Sequence, residues 1–157
     1  MGKPKRYFRA GVGAVVLDGA GRVLIFERSD ISGAWQFPQG GLEEEEDPES
    51  GVWRELREET GLTSADVALL ARYPEPLVYE LPHPASSKKT GMGQVQYWFF
   101  FRIRQPRQHI SVPVNGEFRR AVWADFGKAV EQAVNFRKRV YERLRTFYNA
   151  NLNNPER

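Results

Sequence analysis

A mixed α and β fold is what the sequence predicts, and three observations predict it. Two apolar runs near the start are joined by a glycine-containing turn. A strongly aromatic run, Gln94–Ile103, has the length of a single strand. Two segments with helical spacing, one acidic and one basic, lie in the middle and at the end.

In chain order, Arg9–Leu17 and Arg22–Glu27 read as strands about a turn at Asp18-Gly19-Ala20-Gly21. Ser29–Gly41 reads as a loop that contains Trp35, Phe37 and Pro38. A helix then spans Pro48–Thr60: Asp47 can accept from its orphan N–H groups, Pro48 suits its first position, and Gly61 suits its stop. Val67–Tyr73 and Leu77–Leu81 follow as strands, and His83–Met92 as a polar, basic loop. After the aromatic strand, Arg119–Ala124 is a shorter one. One final helix is expected over Gly127–Asn149, apolar at Val130, Val134, Val140, Leu144 and Phe147. With no repeats or linkers, a single domain over 1–157 is expected.

Composition excludes several classes. The hydrophobic fraction of 41% and charged fraction of 27% are those of a folded globular chain rather than a disordered one. The absence of cysteine removes disulfides, thiolate nucleophiles and cysteine-held zinc, and suits a reducing cytoplasm. The N-terminal apolar run is short and broken by glycine, so a soluble, unprocessed, cytoplasmic protein without a membrane partner is expected.

Charge is unevenly spread. Residues 40–61 hold nine acids (Glu43, Glu44, Glu45, Glu46, Asp47, Glu49, Glu55, Glu58, Glu59) against Arg54 and Arg57, a balance of −7. The remainder carries +10. An acidic knot within a basic body suits a site that holds cations, which in turn hold a polyanion.

Glu55, Glu58 and Glu59 stand at i, i+3 and i+4, so they share one helix face, where like charges repel by a few tenths of a kcal/mol per pair. A divalent metal would relieve that repulsion; so would a water-facing helix paired through Arg54 and Arg57, and spacing alone leaves both open.

The surrounding pattern separates them. From Gly40 the chain reads G-x5-E-x7-R-E-U-x-E-E-x-G-U, U being a bulky aliphatic, filled by Gly40, Glu46, Arg54, Glu55, Leu56, Glu58, Glu59, Gly61 and Leu62. This resembles the signature of the Nudix hydrolases. The flanks WQFPQGG (35–41), GQVQYWFF (93–100), GEF (116–118) and VNFRKRVYE (134–142) resemble the branch of RNA 5′-pyrophosphohydrolases and asymmetric diadenosine tetraphosphate hydrolases. The likeness covers about residues 7–148.

The resemblance implies an α/β Nudix fold, a mixed sheet sandwiched between helices with the box as loop–helix–loop. It implies hydrolysis of a phosphoanhydride bond with Mg²⁺ or Mn²⁺, more than one ion being engaged with substrate bound. Glu55, Glu58 and Glu59 are the implied catalytic and metal-binding carboxylates, joined by the Gly40 carbonyl and by Glu117 as a ligand or general base. Glu46 and Arg54 are an implied structural pair. Arg9, Arg28 and Lys138 are implied to meet phosphates, Gln39 to bind substrate, and Tyr79, Gln96 and Phe136 to stack on or edge-bind a base. Arg137 could meet further phosphates. His83 and His109 are expected to do nothing catalytic. One departure stands out: the branch commonly has lysine immediately before the tryptophan, where this chain has Tyr97.

The implied partner is a nucleotide or the polyphosphate at an RNA 5′ end, with no DNA readout. The basic segments HPASSKKTGM and FRKRVYERLR lean towards RNA, whereas ISGAW and YELP look closer to the dinucleoside polyphosphate hydrolases. A sanitising hydrolase of damaged nucleotides fits the flanks less well. A non-catalytic Nudix sensor would be expected to have lost a box glutamate, and none is lost.

Overall fold

The computed structural model describes residues 7–82, 91–105 and 116–153. Both histidines and most of the basic loop after Leu81 lie outside them. The elements are β1 (Phe8–Leu17), β2 (Val23–Arg28), β3 (Trp35–Gln36), β4 (Gln39–Gly41), α1 (Pro48–Thr60), β5 (Val67–Arg72), β6 (Leu77–Glu80), β7 (Gly93–Ile103), β8 (Phe118–Ala124), α2 (Phe126–Glu131) and α3 (Asn135–Asn151).

Among the described residues the strands form one eight-stranded sheet with a central path β3-β2-β1-β7-β5; β4 adds to β1, β6 to β7 and β8 to β2. Among the described strands only the β1–β7 pair is parallel. β1 is covered on both faces, which is why GVGAVVL reads as a continuous apolar run instead of an alternating one. Its Val12, Ala14 and Val16 join the core that includes Val52 and Leu56 of α1. Val15 and Leu17 join the opposite core with Val140, Tyr141 and Leu144 of α3. The helices therefore sandwich the sheet, as the resemblance implied. No helix among the described residues is long and apolar enough to cross a membrane.

Two expectations need correction. The Ser29–Gly41 loop contains β3 and β4: Trp35 and Gln36 pair with Glu27 and Phe26 of β2, while Gln39, Gly40 and Gly41 pair with Gly13, Val12 and Gly11 of β1. These strands are too short for an alternating pattern to reveal, and their pairing is set by a distant partner. The final helix is two. Gln132 ends α2, and Val134 is extended (φ −62°, ψ 147°) with no side-chain cap on α3. The i, i+4 spacing of Val130 and Val134 imitates a continuous stripe, but the β-branched valine and the asparagine after it are weak helix formers, and the chain turns there.

Candidate active site

The box begins with α1, whose ends are chemically fixed. Asp47 accepts from Ser50 N (3.1 Å) and Ser50 Oγ (2.8 Å), and Gly61 closes the helix at φ 78° with its N–H on Arg57 O (2.9 Å). The preceding loop is folded back by Arg54. Its Nε and Nη2 donate to the two Glu46 oxygens at 2.8 Å each, and Nη2 also donates to Gly41 O at 2.9 Å. This bidentate grip holds the Glu46 carboxyl down to about 2. These bonds tie the loop, β4 and the helix together.

Arg54 does more than brace. Its Nη1 donates to Glu55 Oε1 (2.9 Å) and Glu58 Oε2 (3.1 Å). Glu58 is half exposed, whereas Glu55 is largely covered and its carboxyl rests on Gly40, where a Cβ would stand under 3.0 Å from all three carboxyl heavy atoms. Glu59 is buried and accepts the Gln39 N–H at 3.0 Å. Burial raises the pKa of Glu55, and that of Glu59 by more; the charges of Glu117 and of the other box glutamates add to both. Glu117 is exposed, on the turn before β8, and its carbonyl accepts from Ser29 N (2.9 Å). So four carboxylates from α1 and the β8 turn act on one another electrostatically.

These are hard oxygen donors, the set that suits Mg²⁺ or Mn²⁺, and their mutual repulsion is what a dication relieves. Among the described residues, however, no three such groups are drawn to metal-holding distance. The carboxylates are neighbours rather than a formed cage, with Arg54 lying between Glu55 and Glu58. The donor types fit the ion, and Glu58 would have to leave Arg54 to join it.

The remaining implied residues fall into two groups. Arg9 lays its guanidinium against Gly41, beside the box loop. Arg28 is held by Asp30 through paired contacts of 2.8 and 2.7 Å, which together with the nearby Glu117 raise its pKa. The others gather on the α3 side. Tyr79 and Phe136 face each other at 5.5 Å, and Tyr79 belongs to the core. Gln96 is fully buried, with Nε2 3.1 Å from Gln94 Oε1. The Gln96 side-chain carbonyl and the Tyr79 hydroxyl have no hydrogen-bond partner among the described residues. Lys138 is half-buried on the first turn of α3.

Arg137 departs from its expected role. It is buried, donates to Gln36 Oε1 at 2.9 Å, and lies over the rings of Phe136 (5.2 Å) and Tyr79 (5.9 Å). With the Gln39 side-chain carbonyl turned towards it, Gln39 accepts from Nη2 at 2.9 Å and Nε at 3.2 Å. Its spacing from Val140, Tyr141, Leu144 and Tyr148 places it on the buried stripe, a signal present in the sequence. Tyr141 also reaches the backbone between β3 and β4: its hydroxyl, pushed up to about 12 by burial, accepts Phe37 N–H at 3.0 Å.

This geometry belongs to a recognised family: the NUDIX domain matches residues 7–144. The chain is a member of the Nudix family. The Nudix hydrolases generally use divalent metal ions. An RNA pyrophosphohydrolase of Halorhodospira halophila is 41% identical over 138 residues, covering 85% of this chain and 76% of that protein. Nudix hydrolase 25 of Arabidopsis thaliana is 34% identical over 161 residues, covering 96% of this chain and 91% of that one. Among solved structures, a C. elegans Ap4A hydrolase binary complex superposes with a TM-score of 0.69 at 18% identity, covering 90% of this chain and 98% of the other. The E. coli dihydroneopterin triphosphate pyrophosphohydrolase gives 0.72 at 21% identity, covering 88% and 97%. These two structures share its Nudix fold.

Proposed function

We propose that this Nudix hydrolase is a Mg²⁺- or Mn²⁺-dependent pyrophosphohydrolase that removes pyrophosphate from 5′-triphosphorylated RNA and also cleaves dinucleoside polyphosphates. The observation that carries the reading is the carboxylate face of α1, with Glu55 seated on Gly40 and Glu59 on the Gln39 N–H, next to Glu117. The relatives named RNA pyrophosphohydrolase, 37–41% identical, support RNA as substrate. The absence of cysteine accords with the reducing cytoplasm where we place the protein.

In the hydrolysis, water oxygen bonds to phosphorus, one bridging P–O bond of the anhydride breaks, and a carboxylate takes the water proton. Divalent ions, more than one with substrate bound in this reading, would neutralise the polyphosphate and would lower the pKa of the attacking water. Glu55, Glu58, Glu59 and the Gly40 carbonyl would hold them, with Glu117 as a further ligand or as the base. Arg54 keeps the loop and helix in one piece through Glu46 and Gly41, and Arg9 and Arg28 take phosphate charge. Tyr79, Phe136 and Gln96 receive a base, with Lys138 near it.

The deciding experiment compares kcat/KM on 5′-triphosphorylated RNA and on diadenosine tetraphosphate. An RNA value far below the dinucleotide value would make this a dinucleoside polyphosphate hydrolase instead. Full activity in excess EDTA would remove the metal from the account, and near-normal turnover in Glu58→Gln or Glu59→Gln would remove those residues.

A further inference from the structure

Arg72 ends β5 as an exposed residue, and its guanidinium is docked on two rings of the neighbouring strand. Its Cζ lies 5.1 Å from the centre of the Tyr97 ring and 5.4 Å from that of Phe99. Arg72 pairs with Phe99 in the sheet, so it reaches diagonally along β7 towards Tyr97. Among the described residues its side chain has no ion pair and no hydrogen bond.

The register places this pair relative to the carboxylates. Tyr97 is opposite Val12 of β1, and Val12 is opposite Gly40 of β4. Gly40, Val12 and Tyr97 therefore form one row across three strands. Tyr97 and Val12 pack with the core beneath α1, and Gly40 carries the Glu55 carboxyl, so all three look to the same face of the sheet. Two strand spacings separate Tyr97 from Gly40, roughly 10 Å. Arg72 stands on the next strand out, in the neighbouring row of Ala14 and Phe99, and its guanidinium leans from there over the Tyr97 ring.

We propose that Arg72, held on the Tyr97–Phe99 platform, binds a phosphate of the substrate's polyphosphate chain away from the bond being broken. A guanidinium stacked on a ring uses its face and leaves its in-plane N–H groups directed outward, in the fork that fits phosphate oxygens. The platform also restricts the side chain before substrate arrives, so less freedom is lost on binding. The two ends of the site then have opposite charge: carboxylates where the anhydride is cleaved, and an oriented cation where the chain continues. This inference rests on the polyphosphate reading above and adds to it a residue that fixes the register of the phosphates.

The test uses the full chain with inorganic tripolyphosphate as the probe, titrated calorimetrically in Mg²⁺ into wild type, Arg72→Ala, Arg72→Lys and Tyr97→Leu. KM and kcat are measured in parallel on the RNA and dinucleotide substrates. Loss of one charge-assisted fork predicts roughly tenfold to hundredfold weaker binding and a matching rise in KM for Arg72→Ala, with kcat close to wild type. Arg72→Lys retains the charge without the fork and falls between. Tyr97→Leu retains the arginine but removes one of the two rings of its platform, and weakens binding several-fold. Undiminished tripolyphosphate binding and KM in folded Arg72→Ala overturn the inference, as does wild type that binds no tripolyphosphate. Should Arg72→Ala fail to fold, Arg72→Gln carries the same comparison. Wild type that binds the probe through Arg72 but hydrolyses neither substrate leaves the phosphate contact standing and removes the hydrolase reading.

Discussion

Replacing Gly40 by alanine isolates the contact between β4 and the α1 carboxylates. Gly40 does not have a positive φ, so alanine meets no backbone strain there. What the new methyl meets is the Glu55 carboxyl, under 3.0 Å away, when ordinary contact begins near 3.4 Å. The carboxyl must withdraw by about 1 Å, and a displacement of that size at a reacting centre costs on the order of 10²-fold in rate. The same movement is cheap for the fold, because the obstructing atoms are the free end of a flexible side chain. An off-rotamer glutamate costs about 0.5–1.5 kcal/mol, and Gly→Ala returns about 0.4–1 kcal/mol from the unfolded chain. Stability should thus change by less than about 1 kcal/mol, a Tm shift of about 2–4 °C or less. Thermal unfolding and steady-state hydrolysis measure the two quantities side by side. Adding Glu55→Asp, which shortens the obstructing side chain, should recover part of the lost turnover. A Gly40→Ala protein that turns over within about threefold of wild type, where a loss on the order of 10²-fold is expected, or that unfolds outright, refutes this role for the Gly40–Glu55 contact.

The Glu46–Arg54 pair makes an acid-stability prediction. With its carboxyl lowered from the ordinary 4.5 to about 2, Glu46 contributes stability that is complete above the ordinary value and is lost as pH falls towards 2. Urea midpoints between about pH 5 and 2 should therefore fall less steeply in Glu46→Gln than in wild type; equal slopes would show that the pair does not couple to folding. Tyr141→Phe leaves the buried Phe37 N–H without its acceptor, at a cost of about 1–3 kcal/mol in the urea midpoint with unchanged m. Glu45 is the one non-glycine residue with positive φ among those described, at 63°, so Glu45→Gly should raise stability or leave it level while turnover is unaffected. Glu117→Gln should lower the turnover rate if Glu117 takes the water proton; an unchanged rate assigns that role to the box.

Legibility differs from element to element for physical reasons. The bounds of α1 can be read because Asp47, Pro48 and Gly61 act on their own backbone neighbours. The strands β1 and β7 can be read because double burial leaves a long apolar run. β3 and β4 cannot, since so short a pairing with a remote strand leaves no local trace; the match of Gly40 with Val12 is visible only in three dimensions. The shared face of Glu55, Glu58 and Glu59 follows from helical spacing. The capture of Glu58 by Arg54 and the Gln39 N–H on Glu59 do not, because each depends on where β4 and its loop sit. Arg137 lies on the buried stripe of α3, yet its charge draws a sequence reading towards the phosphates instead of the core.

The parallel β1–β7 pair has a consequence for synthesis. Phe8 pairs with Gly93 and Leu17 with Arg102, each joining positions 85 apart along the chain. Such separation makes folding slow, because a large loop must close before the contacts repay it. At roughly 5–20 residues per second, one edge of GVGAVVL stays open on the ribosome for about 4–17 s after it is made. During that interval the apolar strand at the centre of the mature sheet is an exposed edge able to pair with another nascent copy.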